Sequence, residues 1–257
     1  MVIQKPVLLL SGASRGLGAA TAKEAARRGA NLVINARDAA RLEKVAEEAR
    51  KLGADVITVA GDIGEEDTAR QMAEKAAEHF GRIDAVIHNA GIIQPLAPIA
   101  KAKAEEWLYN WRVNLLGGVM LVSAALPLLR KAQGRAVMVS SGAAIHPYPA
   151  WGAYCSAKAA LNHFVAVLAV EEPLITAVAF RPGIVDTDMQ AVIREEGAKV
   201  MPPELHQRFL EYKREGRLAP PEEVAAPLIA VAMRAPRAWS GKFVAYYSAE
   251  VQALLAE

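Results

Sequence analysis

The stretch Val7-Leu8-Leu9-Leu10-Ser11-Gly12-Ala13-Ser14-Arg15-Gly16-Leu17-Gly18 joins a short apolar run to a glycine-rich turn, and a helical pattern over Leu17–Arg28 follows at once. A bounded apolar run of this length reads as a buried strand. Glycines let the backbone turn tightly and approach a pyrophosphate closely. The N-terminus of the following helix offers that anion N–H donors and a favourable dipole. The spacing of Gly12, Gly16 and Gly18 is G-x-x-x-G-x-G. Alone, such a turn also serves where nothing binds; its place at the first strand–helix crossover is what points to a dinucleotide.

Outward from that turn the pattern repeats. Leu32–Asn35, Val56–Ala60, Ala85–His88, Ala136–Ser140 and Thr176–Phe180 read as further buried strands. Between them lie helical stretches: Ala39–Leu52, Glu65–His79, Lys103–Leu129 with breaks, and Ala153–Glu171. Gly29 and Gly53 stand where helices should end. Near-continuous apolar strands separated by helices imply an α/β fold, a mostly parallel sheet covered on both faces. We read residues 1–257 as a single doubly wound Rossmann-type domain, with Lys242–Tyr247 as a closing strand. The polar, helix-prone segment Glu204–Gly216, bracketed by Pro202-Pro203 and Pro220-Pro221, falls within an expected substrate lid over about 190–218.

Bulk properties narrow the function classes. Of 257 residues, 53% are hydrophobic and 23% charged, enough for a large core. Thirty basic and 28 acidic residues leave a net charge of +2, with no general pull toward nucleic acid or an anionic membrane. Cys155 is the single cysteine, so an internal disulfide is impossible, in keeping with a reducing compartment. The apolar run within Met1–Leu10 is too short for a signal h-region, and no later one reaches spanning length without a charge or proline. The expectation is a soluble, cytoplasmic protein. His146 and His163 lack metal-ligand spacing, so no metal site is expected. Glu171-Glu172 reads as a solvated helix end.

The second strand bears on the cofactor. An NAD site usually places a carboxylate at its end to accept from the ribose 2′-OH. Here the residues are Asn35-Ala36-Arg37, and Arg15 lies within the glycine turn. Two guanidiniums near the ribose suit a 2′-phosphate, so NADP(H) is expected.

With these features the chain resembles the short-chain dehydrogenase/reductase family. The motifs stand in order: the glycine turn, Asp62, Asn89-Ala90-Gly91, Asn114, Ser141, Tyr154-Cys155-Ser156-Ala157-Lys158, and Pro182-Gly183 with Thr187. They span roughly residues 5 to 250, and their joint spacing is far more specific than any one of them. The resemblance implies that Gly12, Ser14, Arg15, Gly16, Leu17, Gly18 and Arg37 hold the cofactor, and that Asp62 and Ile63 meet the adenine. Asn89, Ala90 and Gly91 would line the cofactor. Pro182, Gly183, Val185 and Thr187 would flank and hold the nicotinamide carboxamide. Asn114, Ser141, Tyr154 and Lys158 match the family's catalytic tetrad. The family also implies a homodimer or homotetramer built through the helices around Asn114 and Tyr154.

Within the family, the closer likeness is to the sepiapterin reductase and benzil reductase-like subgroup, carried by Trp151-Gly-Ala-Tyr-Cys, Leu168-Ala-Val-Glu-Glu-Pro and Pro182-Gly-Ile-Val-Asp-Thr-Asp-Met-Gln. A pterin-anchoring aspartate is missing: Val244 to Ser248 holds no carboxylate, and Glu250 is displaced. That departure argues against a pterin substrate.

The chemistry of these residues is coherent. Tyr154 and Lys158, four apart in a helix, share a face. An ammonium beside the phenol should lower its pKa toward neutrality, which suits a general acid. Lys158 would also reach the ribose, placing it and Tyr154 against the cofactor. Ser141, thirteen positions before Tyr154 as is usual in the family and so preferred to Ser140, would polarise the substrate carbonyl. Asn114 would support a water near Lys158. Tyr148 and Trp151, with Trp107 as a further candidate, would line an aromatic substrate pocket. The expected activity is NADPH-dependent reduction of a small ketone or diketone with Tyr154 as proton donor. A 3-oxoacyl thioester reductase and a non-enzymatic NADPH sensor are the alternatives.

Overall fold

A computed structural model describes residues 5–255. Residues 1–4, part of the stretch expected to be too short for a leader, lie outside the described residues. Seven strands form one sheet: β1 (Val7–Ser11), β2 (Asn31–Ala36), β3 (Val56–Ala60), β4 (Ala85–His88), β5 (Arg135–Val139), β6 (Thr176–Arg181) and β7 (Phe243–Ala245). Their order is β3-β2-β1-β4-β5-β6-β7, and every pair is parallel. The expectation of a mostly parallel sheet is therefore sharpened to a wholly parallel one. The last strand is three residues, shorter than the expected Lys242–Tyr247, because the chain turns away at Tyr246 after that residue's N–H bonds the Arg181 carbonyl.

The helices cover both faces. On one side lie α1 (Gly16–Arg27), α2 (Ala39–Lys51) and α9 (Pro221–Arg234); on the other lie α3 (Glu66–Phe80), α5 (Gly117–Ala132) and α6 (Gly152–Glu171). Strand periodicity assigns the residues: Leu8 and Leu10 point into the first layer and Leu9 into the second. Each of the three is 1% exposed or less, the equivalent of about 2 kcal/mol of transfer free energy per side chain. Gly29 and Gly53 adopt φ of +78° and +92° just past α1 and α2, as helix-ending glycines do.

The broken helical stretch resolves into α4 (Ala104–Trp111), a π-helical turn over Arg112–Leu116, and α5. α9 was not foreseen: Pro221 sits in its first turn, where a missing N–H is harmless, and Pro227 lies inside it, masking a run whose Val224, Leu228, Ile229 and Val231 are all buried. The run Ala104–Ala132 and α6 are long and apolar enough to cross a membrane, but Arg112, Pro127 and Lys158 interrupt them and each packs one face on the sheet. Three further helices complete the fold: α7 (Asp188–Glu196), α8 (Pro203–Arg214) and α10 (Ala249–Ala253). In a sheet of this order the chain winds in opposite directions from β1 and β4, and a crevice opens at their carboxyl ends.

Candidate active site

That crevice is a cavity of about 470 Å³. Its floor is the glycine turn. Gly12 and Gly16 take φ of +70° and +51°, a region that a side chain would strain. Gly18 admits no side chain at all: a Cβ there would lie 2.0 Å from the Gly12 carbonyl oxygen. Asn89 donates to that same oxygen at 3.0 Å, tying the turn to the end of β4. The buried Ser11 hydroxyl accepts from the Asn89 and Ala90 N–H groups and pairs with the His88 ring. α1 begins at this turn with no side-chain cap and no acidic residue in its first turn. Its free N–H groups and dipole thus suit an anion such as a pyrophosphate. A nicotinamide dinucleotide fits this cradle.

All the cofactor-site residues read from the sequence line this cavity: Gly12, Ser14, Arg15, Gly16, Leu17, Gly18, Arg37, Asp62, Ile63, Asn89, Ala90, Gly91, Pro182, Gly183, Val185 and Thr187, with Tyr154 and Lys158. Arg15 pairs with Asp188, at the start of α7, and Arg37 donates to the Tyr109 hydroxyl. Arg41, in the first turn of α2, lines the cavity as well. Asp62 faces the cavity but spends one oxygen on the Gly64 N–H and the other on Tyr109, whose hydroxyl in turn accepts from Arg37 at 2.8 Å. Arg41 and Tyr109 escaped the sequence reading; a third basic residue four after Arg37 was the available signal for Arg41, and none pointed to Tyr109.

At the far end, β5 delivers two serines with different surroundings. Ser140 is buried and donates to the Asn162 amide oxygen at 2.6 Å. Ser141 opens into the cavity on the side of Tyr154 and accepts from the Ala143 N–H. Tyr154 and Lys158 lie together on α6, with the Lys158 Nζ 5.7 Å from the Tyr154 ring centre. Lys158 donates to the Val139 carbonyl at 2.8 Å. One electrostatic expectation is corrected here. Burial pushes the Tyr154 phenol up to about 12, against a smaller downward pull from Ser141, and Lys158 does not lower it. Burial also brings the Lys158 ammonium down to about 7. Both side chains are buried, and desolvation is the largest influence on each.

Asn114 is neither a helix cap nor a surface residue. It occupies the π-helical turn, is fully buried, and donates to the Ile92 carbonyl while accepting from the Ile92 N–H. Asn110, one turn earlier, accepts from it at 2.9 Å. Asn114 stands behind Gly91, where an added Cβ would meet its Oδ1 at 2.9 Å and lie 3.8 Å from Lys158 Nζ. Glu172, read as solvated, is instead held by Arg130 with its side chain 13% exposed. Among the described residues no cluster of three His, Cys, Asp or Glu side chains is placed to hold a metal.

A second cavity, about 230 Å³, adjoins the first at Ser141. Tyr148 and Trp151 stack in it at 4.6 Å, and Phe209 of α8 packs on Trp151 at 5.4 Å. Trp107 is elsewhere: it packs against Gly152 and Trp111 and lines neither cavity. α7 and α8, within the segment expected as a lid, supply Gln190, Leu205, Arg208, Phe209 and Tyr212 to the second cavity.

A doubly wound sheet, a dinucleotide cradle at its switch point and a Ser–Tyr–Lys cluster beside it define an oxidoreductase that uses a nicotinamide dinucleotide. Residues 6–198 match the family model described as short chain dehydrogenase, and the chain belongs to that family. It is 38% identical over 243 residues to an uncharacterized oxidoreductase of Schizosaccharomyces pombe, covering 94% of this chain and 96% of that one. To a benzil reductase ((S)-benzoin forming) of Saccharomyces cerevisiae it is 34% identical over 253 residues, covering 93% and 95%. Among solved structures, a Saccharomyces cerevisiae short chain dehydrogenase/reductase matches with a TM-score of 0.92 at 34% identity, covering 97% and 99%. L-sorbose reductase from Gluconobacter frateurii, complexed with NADPH and L-sorbose, matches with a TM-score of 0.83 at 26% identity, covering 95% of each chain.

Proposed function

We propose that the protein is an NADPH-dependent carbonyl reductase acting on a ketone or diketone, with Tyr154 as the proton donor. The observation that carries this reading is the meeting of Ser141, Tyr154 and Lys158 where the dinucleotide cavity joins an aromatic second cavity. A phenol held near 12 is fully protonated at neutral pH, which is the state a reductase requires of its acid. The cofactor, when bound, supplies the hydride. Ser141 donates to the carbonyl oxygen, stabilises the charge that develops there and orients it toward Tyr154. Tyr154 gives its proton to that oxygen. Lys158 stands beside Tyr154, its Nζ 5.7 Å from the ring centre, and holds the Val139 carbonyl at the end of β5. Asn114 holds the Ile92 backbone, and through Gly91 keeps the ground beside Lys158 in place.

Arg37 and Arg41 at the adenosine end, with Ala36 where a carboxylate would otherwise stand, favour a 2′-phosphate and hence NADPH over NADH. The likeness to a benzil reductase favours flat aromatic diketones, and the Tyr148–Trp151 stack suits them. The α7–α8 segment would close over the substrate, and a second copy of the chain would cover the apolar outer face of α6, where Val170 is 81% exposed. NADPH oxidation followed at its absorbance band, with benzil as substrate, tests the reading. Turnover is expected, with loss of about 10²–10⁴-fold in Tyr154→Phe; equal rates in the two proteins would defeat it.

A further inference from the structure

The second cavity has a charge character that a neutral diketone does not use. Arg181, the last residue of β6, and Arg208 of α8 both line it, and no carboxylate does. Its other polar linings are the hydroxyls of Ser141, Tyr148 and Tyr212 and the amide of Gln190. Among the described residues, neither arginine forms an ion pair. Arg208 donates to the Tyr212 hydroxyl at 3.2 Å. The Arg181 guanidinium lies against Gly142, the neighbour of Ser141, where an added Cβ would sit 2.9 Å from Nη2. Its Nε–H is sealed from solvent without an acceptor, and so is the indole N–H of Trp151, which is 5% exposed. Leaving such donors buried and unpaired is costly, and most buried polar atoms avoid it. An acceptor supplied by a ligand removes the cost, and a guanidinium fork suits a carboxylate best.

We infer that the second cavity is a carboxylate-accepting compartment of the active site, so that the substrate is a keto acid: a carbonyl at Ser141 and Tyr154, an apolar or aromatic body against Tyr148, Trp151 and Phe209, and a carboxylate held by Arg181 and Arg208. The inference rests on the reductase reading above, because Ser141, Trp151, Gly183 and Gln190 line both cavities and so one molecule can reach from one into the other. Arg181, whose Nε is sealed from solvent, is the less screened of the two, which strengthens a charged contact at its end.

Binding separates this inference from the reductase reading. Benzoylformate and 4-benzoylbutyrate, each beside its methyl ester, are titrated calorimetrically into the enzyme saturated with NADP⁺, where no reduction occurs. At least one acid is expected to bind about ten- to hundredfold more tightly than its ester. That preference should fall in Arg181→Met and in Arg208→Met, each acid losing more affinity than its ester. Arg208 is exposed on α8, so its variant remains informative if Arg181→Met folds poorly. Acids and esters that bind alike, or fail to bind at all, overturn the inference, as does a preference that survives both substitutions. The same four compounds are then tried as substrates with NADPH. Acid-selective binding with no reduction of any of them would leave the carboxylate site standing and remove the ketone-reductase reading instead.

Discussion

Lys158 should weaken the fold that holds it, and the size of that cost follows from its burial. Its ammonium titrates at 10.5 when solvated and at about 7 in the protein, and the residue is 3% exposed, so solvent does little to screen the effect. Between those values the unfolded chain binds the extra proton and the folded chain does not. Stability therefore rises as pH rises from about 7 to 10.5, and is flat on the acid side of 7. At about 1.4 kcal/mol per pH unit the gap costs the fold about 4 kcal/mol at pH 7, where half the folded molecules have already shed the proton. Lys158→Met keeps the side chain's length and removes the charge. It also gives up the hydrogen bond to the Val139 carbonyl, about 1 kcal/mol, so the variant should be about 3 kcal/mol more stable than the parent at neutral pH. Urea denaturation at pH 7 and again near pH 9.5 measures this. The parent should recover about 3 kcal/mol relative to the variant across that interval. Tyr154, whose raised pKa removes stability only above pH 10, contributes alike to both proteins. A stability difference that stays constant with pH would refute the reasoning, because it would mean that Lys158 keeps its proton in the fold.

Three further outcomes are expected. Ser141→Ala should lower kcat about 10²–10³-fold with the fold intact, whereas Ser140→Ala should leave the Asn162 amide oxygen short of a donor and cost about 1–3 kcal/mol in denaturation with kcat little changed. Arg37→Ala and Arg41→Ala should each raise KM for NADPH about tenfold while leaving KM for NADH unmoved; equal effects on the two cofactors would count against a 2′-phosphate site. Gly18→Ala drives a methyl group into the Gly12 carbonyl, so NADPH binding, followed by the fluorescence of the reduced nicotinamide, should be lost.

The frame was legible because its residues speak locally. Val7–Leu10, Val56–Ala60 and Ala85–His88 are apolar runs flanked by turn residues, and each became a strand within one residue of its expected limits. The glycine turn was legible for the same reason: a steric demand at Gly18 leaves one residue type. What stayed hidden depends on contacts between distant segments. Arg15 is partnered by Asp188, 173 positions away, which no local pattern announces. Tyr109 of α4 reaches Asp62 and Arg37 across 47 and 72 positions of chain. The Tyr154–Lys158 spacing places two groups on one face, yet says nothing of how dry that face is, and dryness decides both of their pKa values. α9 was concealed by two prolines that helical geometry tolerates at their positions.

The all-parallel sheet has a practical consequence. Every strand hands its chain to the working crevice at one rim, and among the described residues the opposite rim carries return turns, at Gly29, Gly53, Gly81 and Gly134 among others. None of those turns lines either cavity, and at Gly29, Gly53 and Gly81 nothing stands within 4 Å of where a side chain would begin. The molecule thus has a natural handle. A tether, a fused domain or an attachment to a solid support can be built onto that rim, leaving the reactive rim open for substrates to come and go.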